Sequence, residues 1–262
     1  MQLILGFLLA VIVAFLAYRV RSLTLNGAIA ATIVGTIIFG VGGWQWAVLL
    51  LTFFITSSAL SRVFKKRKMG LNEKYAKGDE RDAGQVFGNG GIATLFAALH
   101  GFFPNALWPW IGFAAALAAV NADTWATELG ILNPGAPRII TDLKHRVEKG
   151  TSGGISLVGT FASLAGSAII ALLAAWFTGH WSLFLIVTLS GLVGSLFDSL
   201  LGATIQAIYY CPSCEKETER YPLHTCGMLT KQIRGWKWLD NDWVNFACGA
   251  MGVGIALIVT LL

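Results

Sequence analysis

Charge is what this sequence has least of. Its 262 residues include 19 Lys and Arg and 14 Asp and Glu, 13% charged in all, against about 25% in a soluble domain. Hydrophobic residues make up 55% and mean hydropathy is +0.66. That scarcity excludes a soluble globular fold. No basic segment precedes the first apolar run and no cleavage site is evident, so the run is read as retained and not as a signal peptide. A Ser/His/Asp nucleophile set and a Walker A sequence are also missing. What is present is a series of apolar stretches near the length that spans a bilayer, about 20 residues. Eight are read: 2–18, 26–42, 44–60, 87–103, 107–129, 155–177, 181–208 and 243–262. The expected fold class is an all-α, polytopic membrane helical bundle, one integral domain over 1–262, with polar loops at 61–86, 130–154 and 209–242.

Basic residues are absent from every second connection. Val41–Trp44, Pro104–Asn105 and Thr178–Trp181 carry none, while all 19 follow spans 1, 3, 5 and 7. The positive-inside rule makes those loops cytoplasmic and puts both termini outside, with a bacterial plasma membrane as the expected location. The formal net charge of +5 then reflects membrane asymmetry and contact with lipid headgroups, not nucleic-acid binding. Trp44, Trp46, Trp108, Trp110 and Trp181 suit an interfacial belt on the opposite side.

The polar residues gather around Asn121 to Gly154. Asn121, Thr124 and Glu128 share one helical face (i, i+3, i+7) and Asp123 and Thr127 the adjacent one, so Asp123 and Glu128 are expected to point apart. Asp198 lies near the end of span 7 with no Lys or Arg in its own span. An acid at such a place needs a partner from elsewhere. Mg²⁺ held by Asp123 and Asp198, with Glu128 in support, fits hard oxygen ligands; a proton relay or a helix–helix hydrogen bond competes. Gly191, Gly194, Ser195 and Gly202 leave a smooth face beside Asp198, along which another helix or an extended group would lie. Arg81, Gln85 and Asn89 (i, i+4, i+8) form a polar stripe entering span 4, read as a pocket wall or a structural seam. Asn241, Asp242 and Asn245 either cap the last span or join the polar site. Cys211, Cys214, His224 and Cys226 make C-x₂-C followed by H-x-C in a loop where a reducing cytosol disfavours disulfides. They read as structural Zn²⁺ ligands or as reduced thiols.

RDAGQVFGNGG, DTWATELG, PRIITDLKHRVEKGTSGGISLVGTFAS, GSLFDSLLGA and CPSC…HTCG with NDWVN, in that order, resemble the integral membrane family that contains plant phytyl-phosphate kinase and animal transmembrane protein 19. The bacterial members form a domain of unknown function. A more distant similarity joins phytol and dolichol kinases; their Gly-Asp and Lys-Ser-x-Glu-Gly segments are replaced here by Asn121-Ala122-Asp123 and Lys149-Gly150-Thr151-Ser152-Gly153-Gly154. The resemblance implies phosphoryl transfer from a nucleoside triphosphate, CTP first, to an isoprenoid monophosphate. Lys149, Arg138 and Lys144 would then neutralise the triphosphate and Gly150–Gly154 would offer backbone N–H groups to it. Arg81, Gln85, Asn89, Asn121, Asn241, Asp242 and Asn245 would contact the acceptor or the base, and the tail would run along the glycine face of span 7. A transporter or lipid flippase is the rival from another class, although the acids are expected at cytoplasmic ends and no inverted repeat is evident. A non-catalytic membrane scaffold is the third reading. The sequence leaves acceptor length and oligomeric state open.

Overall fold

The computed structural model describes residues 1–68, 73–78 and 80–261. Its long helices are α1 (Gln2–Arg19), α2 (Leu25–Ile37), which runs on as a π turn over Ile38–Gly42, α3 (Trp44–Val63), α5 (Ala83–Phe102), α6 (Trp108–Gly130), α7 (Leu157–Thr178), α8 (Ser182–Thr204) and α9 (Asn241–Leu261); α4 is a single turn, Lys65–Lys68. Among the described residues, six of these helices are long and apolar enough to cross a membrane; α5 and α6 fall outside that set.

For α6 the reason lies in packing. Every residue of α6 from Pro109 to Ala122 is buried, because α6 is surrounded by α3, α5, α7, α8 and α9. A helix whose neighbours are other helices does not need the apolar surface that lipid demands, and small side chains let those neighbours approach. Seven alanines between Ala114 and Ala126 do that in α6. The outer helices show the converse. In α1 only Gly6, Ala10, Ala14 and Ala17 are buried, one stripe on an otherwise exposed apolar helix.

Two ends differ most from the expected boundaries. Helix α5 starts at Ala83, ahead of residue 87, because Asp82 and Gln85 form a reciprocal capping box that satisfies two free backbone donors. Helix α8 stops at Thr204 instead of running to 208. Arg234 donates to Gly202 O at 2.9 Å there, and the apolar Ile208–Cys211 becomes strand β4.

The connections after α1, α3, α6 and α8 meet at one end of the bundle. Strands β1 (Arg138–Ile139), β2 (Asp142–Arg146) and β3 (Gly154–Ile155) form one small sheet, ordered β2-β1-β3. Strands β4, β5 (Lys216–Thr218) and β6 (Lys231–Arg234) form another, ordered β5-β4-β6. The α3–α5 connection ties them together. Glu219 N–H donates to Lys74 O and Thr218 Oγ1 to Glu73 O, while Lys74 pairs with Glu148 at 2.7 Å. The α1–α2 turn joins the same end: Arg81 N–H donates to Ser22 O and Thr24 N–H to Arg81 O, both at 3.0 Å. A Cβ on Gly27 would lie 2.1 Å from Arg81 O, so this approach requires glycine.

Candidate phosphate and metal site

A cavity of about 290 Å³ opens among these connections, at the small end of the range of ligand pockets. Asp123 from α6 and Asp198 from α8 both line it, as do Glu128, the Lys149–Gly154 turn, and Arg81, Gln85 and Asn89 from the start of α5. Asp123 and Asp198 are half-buried, on two helices that pack against each other. The Oδ2 atom of Asp198 is buried without a hydrogen-bond partner. Two hard carboxylates, one of them with an oxygen that has no hydrogen-bond partner among the described residues, are the donor set that a divalent cation such as Mg²⁺ takes.

Asp123 and Glu128 were expected to point apart, yet both border the cavity, because it wraps around more than one face of α6. Glu128 also has a structural task, accepting from Ser61 Oγ of α3 at 2.7 Å. Arg81 is seated over two aromatic rings, 5.3 Å from Phe53 and 5.7 Å from Phe54, within cation–π range. Desolvation draws its guanidinium down to about 10, with Glu128 opposing. Gln85 spends its oxygen on the capping box, accepting from Asp82 N–H at 3.1 Å. Asn89 Nδ2 donates to Gln85 O at 2.8 Å.

The glycine-rich turn is fixed from two sides. Gly150 and Gly153 are left-handed, with φ of 78° and 83°, and a Cβ on Gly153 would strike Ala203 of α8 at 2.5 Å. Ser152 Oγ donates to Gln206 at 2.7 Å. The turn does not open the helix directly. Strand β3 intervenes, and Ser156 caps α7 by accepting from Gly159 N–H at 3.1 Å. Thr151 and Gly154 use their N–H groups within the turn. Lys149 reaches back to close the end of α6, donating to Ile131 O at 2.9 Å and Asn133 O at 2.6 Å.

The cavity leaves out four residues anticipated at it. Arg138 and Lys144 stand on the exposed β1–β2 hairpin, where Arg138 donates to Leu143 O. Asn121 is fully buried between helices, accepting from Ser57 Oγ at 3.2 Å and donating to Gly166 O at 2.7 Å. Its polarity serves helix packing. Asp242 pairs with Lys77, which also holds Asp82 at 2.9 Å. The cap of α9 is instead Asp240, which accepts from Asp242 and Trp243 N–H at 3.0 and 3.2 Å. Asn241 and Asn245 do line the cavity. The glycine face of α8 holds no open path. A Cβ on Gly191 would meet Ser167 Oγ at 2.1 Å, and one on Gly194 would meet Ala119 at 2.6 Å. Helices α6, α7 and α9 fill it.

The second cluster is Cys211, Cys214, His224 and Cys226, whose ligand atoms all lie within 4.8 Å of one another. Cys211 Sγ is 3.5 Å and His224 Nδ1 3.3 Å from Cys226 Sγ. Edges of this length surround a tetrahedral ion with Zn–S near 2.3 Å and Zn–N near 2.0–2.1 Å. With four protein donors no position stays open for substrate.

The profile of the integral membrane protein DUF92 family matches residues 8–253. The chain belongs to that family. Protein PGR of Arabidopsis thaliana is 35% identical over 270 residues, covering 94% of this chain and 91% of the relative. Uncharacterized membrane protein MJ0933 of Methanocaldococcus jannaschii is 38% identical, covering 78% and 84%. Protein VTE6, chloroplastic, of Arabidopsis thaliana is 26% identical, covering 92% of this chain and 66% of the relative. No solved structure matches. The family resemblance carried by the sequence motifs is therefore borne out.

In this DUF92 chain the cavity has residues that sequence reasoning missed. Glu219 follows β5 and lines the cavity, held by Ala76 N–H at 3.4 Å and Gln206 Nε2 at 3.0 Å. Desolvation is the chief cause that pushes its carboxyl up to about 7; the two hydrogen bonds oppose it. Tyr75 and Lys77 join from the α3–α5 connection. Burial raises the Tyr75 phenol, and the Glu219, Glu128 and Asp123 charges act in the same sense. No spacing rule links these residues to Asp123; the only sequence signal is that each lies in a polar loop on the basic side.

Proposed function

We propose that the protein is a membrane-embedded phosphotransferase, passing the γ-phosphoryl group of a nucleoside triphosphate, CTP first, to an isoprenoid monophosphate. The reading rests on the family resemblance. One observation carries it in the molecule: Asp123 and Asp198, from two helices, share a cavity with a Gly-rich turn and Arg81. In this reading all eight long helices span the membrane as one unit over 1–262. The end bearing the basic loops faces the cytoplasm and both termini lie outside, in a plasma membrane.

Phosphoryl transfer depends mainly on positioning and charge neutralisation. Asp123 and Asp198 would hold Mg²⁺, with Glu219 and Glu128 beside them. The ion supplies charge neutralisation at the phosphates. Thr151 and Ser152 hydroxyls line the space for the triphosphate, and Arg81 with Gln85 Nε2 holds the acceptor phosphate in line. The acceptor oxygen is already anionic, so it forms the new P–O bond without a strong general base while the β–γ bond breaks and the nucleoside diphosphate leaves. Cys211, Cys214, His224 and Cys226 would hold Zn²⁺ structurally, and the closed loop would keep β5 and hence Glu219 against the cavity.

The test is purified protein with Mg²⁺, each nucleoside triphosphate in turn and phytyl or geranylgeranyl monophosphate. Diphosphate is expected from the wild type, and more slowly by about 10²–10³-fold from Asp123→Asn or Asp198→Asn. Absence of product with every pair sinks the reading.

A further inference from the structure

A second space lies on the other side of Arg81. It is an apolar crevice of about 70 Å³ between α1, α2 and α3, lined among others by Ala14 and Ala17 of α1, Val34 of α2, and Leu51 and Phe54 of α3. Arg81, Gln85 and Asn89 line it too, and the same three residues line the polar cavity. They are the wall the two spaces share.

The crevice follows from how the outer helices pack. Helix α1 lies on α2 and its π turn, while α3 leans on α6 and the same turn. Alanines at 10, 14 and 17 give α1 no bulk on its inner stripe, so the space between α1 and α3 stays unfilled. Val13, Leu51 and Phe54 are half-buried, so the crevice reaches the outer surface of the bundle. Beyond it, α1 and α3 present apolar side chains such as Val11, Phe15 and Ile55 outward.

We propose that this crevice seats the head-proximal part of the single isoprenoid chain of a lipid monophosphate, with Arg81 at its mouth binding the phosphate. The proposal rests on the phosphotransferase reading and names the site of its acceptor. Two features choose the occupant. Among the described residues, no carboxylate stands within ion-pair distance of the Arg81 guanidinium; the Phe53 and Phe54 rings lie against it and Glu128 acts on its charge from farther away, and a desolvated cation in that position is matched by an anion. The walls on its other side are apolar and narrow, fitting one chain. The ligand is therefore apolar on one side of Arg81 and anionic on the other. The remaining chain extends along the lipid-facing groove between α1 and α3.

Equilibrium binding to the detergent-purified protein tests this without turnover. The probes are geranylgeranyl monophosphate, the five-carbon dimethylallyl monophosphate, geranylgeraniol, and dioleoyl phosphatidic acid as competitor. Ala14→Phe and Leu51→Trp fill the crevice from opposite walls, so if one fails to fold the other decides. Each is expected to raise Kd for geranylgeranyl monophosphate at least tenfold and to weaken dimethylallyl monophosphate in the same sense, because its five carbons are the head-proximal part of the chain. Arg81→Gln is expected to weaken both phosphates at least tenfold and leave geranylgeraniol alone, with partial recovery in Arg81→Lys. Unchanged geranylgeranyl monophosphate binding in the folded filled variants overturns the proposal. So does equal competition by phosphatidic acid, which would assign the crevice to bilayer lipid. Binding as expected without any diphosphate product overturns the phosphotransferase reading alone. Product formation that is indifferent to the filled crevice overturns this inference alone.

Discussion

The two polar clusters of this protein are built in opposite ways. Cys211, Cys214, His224 and Cys226 come from one stretch of 16 residues and bring soft donors within 4.8 Å of each other. Asp123, Asp198 and Glu219 come from α6, α8 and the loop after β5, and bring hard oxygens to one cavity. The first is closed by its own four donors. The second has room for a ligand and a buried carboxylate oxygen with no partner. A local cluster can fold around its ion by itself. A dispersed one exists only after the helices have packed, and the cost of burying its acids is tolerated where a ligand will meet them. Closed soft sites suit structure and open hard sites suit chemistry.

The comparison is broken most directly by exchanging which cluster is damaged. Asp123→Asn or Asp198→Asn should lower phosphoryl transfer by about 10²–10³-fold, the scale on which loss of transition-state charge stabilisation is felt. Bound zinc should stay the same. Cys211→Ser should do the reverse, abolishing zinc while costing much less activity, as read by metal analysis beside a transfer assay. Equal loss of activity in both would mean that the Cys/His cluster is not merely structural.

Glu219 is where the clusters meet, because β5 joins the Cys/His loop to the cavity. Glu219→Gln should weaken Mg²⁺ activation by about 10–100-fold, as for partners that support a metal site, with zinc content intact. Titrating activity against Mg²⁺ concentration measures it. Removing zinc from the wild type should move the thermal midpoint down by about 4–8 °C if the loop contributes about 2 kcal/mol. It should also produce a milder version of the Glu219→Gln defect.

Glu219 also predicts a pH effect on stability. Its carboxyl sits at about 7 in the fold, against 4.5 as a model group. Between those values the folded chain binds the proton that the unfolded chain has released. Stability from this group is therefore full below about 4.5 and falls as pH rises towards 7. Metal-free protein should lose thermal stability over that window, and Glu219→Gln should flatten the slope. The smallest effect is expected at Lys149→Met. It removes two hydrogen bonds at the end of α6, worth about 0.5–1.5 kcal/mol each before compensation by water, and should lower the thermal midpoint by a few degrees.

Much of the fold was legible in the residue pattern. The first three spans were read within a few residues of α1, α2 with its π turn, and α3. The Cys/His cluster was legible for the same reason: its donors are close in sequence, so spacing alone constrains them. Failures came where burial or tertiary contact decides. Residues 205–208 continue the apolar run of α8, and such a run does not distinguish a buried strand from a helix end. The glycines of α8 suggest a path for a lipid tail, yet the space at Gly191 and Gly194 is taken by Ser167 and Ala119. The alanines of α1 look no different in sequence and line an open crevice. Small residues give space only where no neighbour takes it.

The sequence by itself determined that the chain is a membrane protein and which connections share a side, because hydropathy and charge act residue by residue. It also marked Asp123 and Asp198, since an acid in an apolar run is conspicuous wherever it lies. Only the tertiary structure decided that these two border one cavity, that Glu219 completes it, that Asn121 is a packing residue, and that Arg81 divides a polar space from an apolar one. These are relations between elements far apart in the chain. They depend on how helix surfaces fit, and that fit is set by the packing of all the helices together.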